Sequence, residues 1–106
     1  MVLTMSQYVR VASVGDLAPG QAKFVRVDGR RIALFNVAGI YYALNDRCTH
    51  RGGPLSEGTL NGDQVTCPWH GSLFNVTNGA IIEGLAPTGV ACYYVRVVGS
   101  DVEIEV

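Results

Sequence analysis

Two short boxes hold most of the reactive side chains in this chain: Cys48-Thr49-His50 and Cys67-Pro68-Trp69-His70-Gly71-Ser72. The 106 residues include only two histidines and three cysteines, and both histidines and two of the cysteines fall inside the boxes. Each box offers one thiolate and one imidazole, with sixteen residues between His50 and Cys67. A thiolate is a soft ligand and an imidazole a borderline one, so the set suits iron or zinc. Ligands one or two residues apart can reach one centre from a single loop, and two facing loops supply four. A common zinc finger runs Cys-Cys then His-His, with the histidines on a helix. The order in this chain is Cys-His twice, and no helix is expected to carry a histidine pair. Zinc stays open at this point as the lesser reading. Three cysteines, two of them beside histidines, argue against a disulfide framework and for a metal site in the cytoplasm.

The frame that must position these boxes is β-rich. Apolar residues make up 48% of the chain and charged ones 16%, with a net charge of −1. That composition supports one domain with a modest core and excludes a face basic enough to coat nucleic acid. No apolar run nears the roughly 20 residues of a membrane span. Residues 1–20 lack a basic region followed by an apolar one, so no export signal is expected, and Met5 is a second candidate start. Strands are predicted at Tyr8–Ala12, Phe24–Val27, Arg31–Phe35, Ile40–Leu44, Cys92–Val98 and Asp101–Val106. Asp28-Gly29, Gly39 and Gly99-Ser100 supply the turns between them. In the last strand Val102, Ile104 and Val106 alternate with Glu103 and Glu105, the period of a half-buried strand. From Asn45 to Gly84 the chain is rich in Gly, Pro, Asn and Thr. Asn61-Gly62 and Asn78-Gly79 are predicted hairpin turns, the second pairing Leu73–Val76 with Ala80–Ile82; Pro54–Leu60 forms a turn at most. The expected fold is all-β, a single domain over 1–106. An antiparallel barrel or sandwich base (about 1–45 and 85–106) carries an inserted, loop-rich β subdomain (about 46–84).

Cys48-Thr49-His50 with Cys67-Pro68-Trp69-His70-Gly71 resembles the signature of Rieske-type [2Fe–2S] proteins, Cys-x-His and Cys-x-x-His. The resemblance extends along the whole chain, and that family's β base with an inserted cluster-binding subdomain agrees with the expected architecture. It implies one [2Fe–2S] cluster, with Cys48 and Cys67 on one iron and His50 and His70 on the other. Neutral imidazoles in place of two thiolates make such a cluster less negative and raise its potential above that of all-cysteine ferredoxins. The second imidazole nitrogens offer an electron route and a site whose protonation couples to redox state.

The same resemblance gives roles to the neighbours. Respiratory Rieske proteins clamp their two loops with a disulfide, whose cysteines would fall at Gly53 and Trp69; both are absent, which places this chain with the soluble ferredoxins. Its loops must then be held by packing and hydrogen bonds. Gly52, Gly53 and Gly71 would let backbone N–H groups approach the cluster, or simply form tight turns. Ser72 would either donate to a bridging sulfide and raise the potential, or bond local backbone as a turn serine. The tyrosine that usually follows two residues on is Phe74. Trp69 is expected chiefly to pack, otherwise to shield the cluster or face a partner. Pro68 fixes its loop, Arg51 meets an acidic partner or solvent, and Leu55 and Pro87 cover the cluster. Cys92 is expected in the core.

Both histidines are committed, so the mononuclear two-histidine, one-carboxylate site of an oxygenase cannot be built. No Gly-rich βαβ unit for a flavin or nicotinamide is present. A redox centre without substrate machinery makes the chain a one-electron carrier and not an enzyme. The resemblance implies a soluble, monomeric ferredoxin, passing electrons from a flavin-dependent NAD(P)H reductase to a terminal Rieske oxygenase that acts on aromatic rings. Docking would be weak and transient, through His50, Arg51, Trp69 and His70. The alternatives are a small subunit of an assimilatory nitrite reductase, which often lacks the ligands present in these boxes, and a zinc-stabilised structural module.

Overall fold

The computed structural model describes residues 7–69 and 71–106, so Met5 and His70 lie outside the described residues. Its strands are β1 (Tyr8–Ser13), β2 (Ala22–Val27), β3 (Arg30–Val37), β4 (Ile40–Asn45), β5 (Thr59–Asn61), β6 (Gln64–Thr66), β7 (Leu73–Asn75), β8 (Ile81–Glu83), β9 (Cys92–Tyr93), β10 (Val95–Val98) and β11 (Asp101–Glu105). One 3-10 turn, Leu55–Glu57, is the only helical element among the described residues. The strands form three antiparallel sheets, ordered β1-β11-β10, β2-β3-β4-β9 and β5-β6-β7-β8. This is the all-β class expected of the sequence.

The hairpins follow from the turn chemistry. Asp28 and Gly29, at φ 50° and 77°, join β2 to β3. Ala38 and Gly39, at φ 52° and 92°, join β3 to β4. Two successive positive φ values give the twist that flanking strands need. The predicted Asn61-Gly62 turn is displaced by one residue. Asn61 pairs with Gln64, so Gly62 and Asp63 form the loop. Only Gly62 has positive φ, the pattern of a turn whose first residue is the glycine. Around Gly79 the predicted pairing holds, with Phe74 opposite Ile81 and a bulge between Leu73 and Phe74.

The predicted single strand over Cys92–Val98 is two strands in two sheets. Cys92 and Tyr93 pair with β4, whereas Val95–Val98 pairs with β11. Alternation along the chain does not reveal a change of partner. The same feature corrects the expectation for Cys92, which is exposed. It lies opposite Leu44 on a two-residue edge strand, and its face opens on a groove shared with Tyr42, Val76 and Thr77.

Strand β3 organises the packing. Ile32, Ala33, Leu34 and Phe35 are all 0% exposed, which requires cover on both faces of the sheet. Because neighbours point to opposite faces, Ile32 and Leu34 enter one core with Ala12, Val25, Val27, Val102 and Ile104. Ala33 and Phe35 enter a second core with Leu44, Leu55, Val65, Phe74, Val76 and the two box cysteines. Each large aliphatic side chain buried this way contributes about 1.5–3 kcal/mol. The β2-β3-β4-β9 sheet is therefore a wall shared by two cores, and the boxes sit on its second face.

Candidate metal centre

The first box is carried by a loop that leaves β4 and folds back on itself. Cys48 N–H donates to Gly53 O at 2.9 Å and Gly52 N–H to Cys48 O at 2.7 Å. Arg47 and Pro54 bridge below them. The base of the loop is pinned by Asp46, which is buried. Its N–H donates to Arg31 O at 2.9 Å, and its carbonyl accepts from Leu55 N–H at 2.7 Å. Its Oδ1 accepts from Ser56 N–H at 2.7 Å. The second box tops the β6–β7 hairpin: Thr66 pairs with Leu73, and Cys67 N–H donates to Ser72 O at 2.8 Å.

These closures bring Cys48 and Cys67 together at the edge of the second core, both buried. Burial pushes the Cys67 thiol up from its ordinary range. A hydrogen bond from the Trp69 backbone works against that shift, while hydrogen bonding and charge from Cys48 add to it. Two buried thiols in contact ionise readily only where a cation takes up their charge. The space above Cys67 is cleared by a glycine. A Cβ at Gly53 would stand 2.7 Å from Cys67 Sγ and 3.0 Å from Trp69 Cβ. Gly52 and Gly71, both at φ 77°, have open space around them, so conformation is what they supply. A buried dithiol pair under a glycine-cleared gap fits a group held by sulfur. Among the described residues no third Cys, His, Asp or Glu joins this pair in a group sized for one metal ion. His50 is half-buried on the first loop, and His70 lies outside the described residues.

A third segment, 84–91, ties the two loops to each other. Thr49 Oγ1 donates to Thr88 O at 2.6 Å. Ala86 N–H donates to Ser72 Oγ at 3.1 Å. Ala86 and Val90 anchor the segment in the second core. Ser72, fully buried, is therefore neither a solvent-facing nor a local turn serine. It braces a residue fourteen positions away, and its own O–H proton is left to donate. Leu55 is fully buried in the same core as both cysteines, while Pro87 and Pro68 are exposed. Trp69 corrects the expectation of packing: its base rests against Gly53, but the residue is 50% exposed. Its exposed side chain lines a cleft with exposed Arg51. Asp46, Thr49 and Thr88 were not singled out from the sequence. A Thr between two ligands and an Asp ten residues before its partner carry no local signal.

The family model for the Rieske [2Fe–2S] domain matches residues 7–94. The biphenyl dioxygenase ferredoxin subunit of Pseudomonas sp. (strain KKS102) is 35% identical over 99 residues, covering 92% of this chain and 91% of that protein. The ferredoxin of carbazole 1,9a-dioxygenase from Nocardioides aromaticivorans IC177 superposes with a TM-score of 0.89 at 29% identity, over 93% of this chain and 97% of that one. A chain from a complex of reduced oxygenase and oxidized ferredoxin in carbazole 1,9a-dioxygenase superposes at 0.86 with 35% identity, over 92% and 91%. No helix among the described residues is long and apolar enough to cross a membrane.

Proposed function

The chain belongs to the Rieske [2Fe–2S] family, and from that premise we propose that it is the ferredoxin of an aromatic-ring dioxygenase system. In this role the protein accepts one electron from a flavin-dependent NAD(P)H reductase and delivers it to a terminal Rieske oxygenase. Its cofactor is one Rieske-type [2Fe–2S] cluster, which when bound takes up and gives up a single electron. Cys48 and Cys67 would hold one iron of that group, and His50 and His70 the other. The observation that carries this assignment is the buried Cys48–Cys67 contact beneath the glycine-cleared gap.

Each remaining element has a physical task. Leu55, Phe74 and Phe35 exclude water beneath the cysteines, which strengthens the field at the site. The Trp69 N–H directed at Cys67 sulfur stabilises negative charge there. The clasp of segment 84–91 does the work that a disulfide does in respiratory relatives. The cluster-binding unit is residues 46–84, and the partner docks through His50, Arg51, Trp69 and His70. The protein works as a monomer in the cytoplasm, since a shuttle must leave one partner to meet the next.

Anaerobic reduction by NADH and a flavin-dependent reductase, followed by stopped-flow transfer to an oxidised terminal oxygenase, tests this. Reduction should give the EPR signal of a histidine-ligated cluster, and mixing with the oxygenase should abolish it. A colourless protein holding zinc, or a reduced protein from which no oxygenase draws an electron, would overturn the reading.

A further inference from the structure

A cleft of about 580 Å³ opens on the flank of the first loop, walled by Arg31, Arg47, Arg51, Phe24 and Trp69. It draws three of the eight basic residues of a chain whose net charge is −1. The ion pairs among the described residues are Arg10–Asp101 and Arg96–Glu103, so none of the three cleft arginines is spent on a carboxylate. Of the two acids that line the cleft, Asp46 is buried and committed to Ser56 N–H, and Glu57 is exposed. The Arg31 guanidinium lies 5.6 Å from the Phe24 ring centroid, and Phe24, at 41%, is exposed like Trp69. Phe24 faces the same way as its cross-strand partner Ala33, but on edge strand β2 the second core does not cover it. Exposed aromatics beside unpaired guanidinium groups form the composition of an interface centre. A planar guanidinium fork held on an aromatic ring is preset for a carboxylate.

We propose that this cleft is a docking site for an acidic segment of the terminal oxygenase; the proposal rests on the function above. The choice of the oxygenase over the reductase follows from charge. Partner carboxylates seated beside the first loop and Trp69 add negative potential next to the redox site. That potential disfavours the electron's remaining on the ferredoxin and favours its passage to the acceptor. The electron that the ferredoxin loses is the one the oxygenase gains. A reductase docked the same way would oppose its own delivery. By linkage the oxidised ferredoxin binds the oxygenase more tightly than the reduced one does.

The test uses holo-protein with Arg31→Gln, Arg47→Gln and the double variant, with Arg26→Gln as a basic control outside the cleft. Visible and EPR spectra establish that each variant keeps its cluster. The probes are the terminal oxygenases of carbazole 1,9a-dioxygenase from Nocardioides aromaticivorans IC177 and Novosphingobium sp. KA1, with Kd measured at low and high salt. The double variant should weaken binding about tenfold, flatten the salt dependence and erase the difference between redox states. The control should stay within about twofold, and so should the rate of reduction by a flavin-dependent reductase. An unchanged oxygenase Kd in the double variant overturns the cleft while leaving the electron-carrier function standing. A loss confined to the reductase arm overturns the choice of partner. A wild-type protein that takes reductase electrons but binds neither oxygenase overturns both the cleft and the function.

Discussion

The two cores on either side of β3 differ in how they are closed. The buried residues of the first are all aliphatic, with Tyr41 and Tyr93 packed against them, and it is sealed by ladders of four to six residue pairs, as in β10–β11, β1–β11 and β2–β3. The second includes two thiols and is closed by three-residue strands, two loops and segment 84–91. Long ladders and an unbroken apolar filling make the first core stable by itself. Short ladders and buried thiols leave the second dependent on what its cysteines hold. One continuous sheet thus carries the fold on one face and the chemistry on the other, so the site is positioned by a structure that does not need it.

The largest effect should come from separating these roles at the cysteines. Cys67→Ser should abolish iron binding and visible absorption, whereas Cys92→Ser should leave both intact. Hydrogen exchange on the cluster-free protein should show β1–β4, β10 and β11 still protected and residues 48–76 opened. Equal loss of protection on both faces would break the distinction between the cores. The Cys67 thiol, pushed up by burial first and by Cys48 besides, ionises on taking up iron. Cluster assembly should therefore release protons and weaken as pH falls.

The next contrast uses two leucines that are both fully buried. Leu34→Ala in the first core and Leu55→Ala in the second should each destabilise by about 2–5 kcal/mol. Their signatures should differ. Leu34→Ala should lower the urea midpoints seen by far-UV dichroism and by cluster absorbance together. Leu55→Ala should advance the loss of absorbance and leave the dichroism midpoint nearly in place. Coincident shifts in both variants would mean one cooperative core.

The difference between the cores also governs what the sequence reveals. Strands of the first core show alternation and two-residue turns, so β1–β4 and β11 are legible to within a residue or two. The apolar run Ile32–Phe35 marks a buried strand, but not that its two faces fill two cores. The sheet change at Tyr94 is silent because both halves are equally β-prone. Cys92 misleads because its residue type speaks for burial while its edge position decides exposure. At the site, Cys48 and Cys67 announce themselves by type and spacing. The bonds that set their loops do not, since Thr49–Thr88 and Ser72–Ala86 span 39 and 14 residues. Aromatics generally pack, but Trp69 has only its base against Gly53 and is half exposed.

Ser72 sharpens the picture of the second core. Ser72→Ala leaves the Ala86 N–H buried without its acceptor, at a cost of about 1–3 kcal/mol. Segment 84–91 should loosen, and iron should leave faster under chelation. The reduction potential should also fall, because the hydroxyl proton is no longer there to stabilise the added charge. Voltammetry separates the two effects: faster iron loss at an unchanged potential would confine Ser72 to bracing the segment.

The smallest effect tests whether the shared wall is shared in energy as well as in geometry. Ala38 occupies φ 52° in the β3–β4 turn, a conformation that costs an L-residue about 1–2 kcal/mol. Glycine accepts it freely, at a loss of about 0.5–1 kcal/mol in chain entropy. Ala38→Gly should therefore stabilise the protein by about 0.5–1 kcal/mol. Strands β3 and β4 supply Ile32, Leu34 and Ala43 to one core and Ala33, Phe35 and Leu44 to the other. The gain should consequently appear twice, as a raised dichroism midpoint and as slower cluster loss. A gain in the midpoint alone would show that β3 and β4 steady only the aliphatic core, and that the loops and segment 84–91 set cluster retention by themselves.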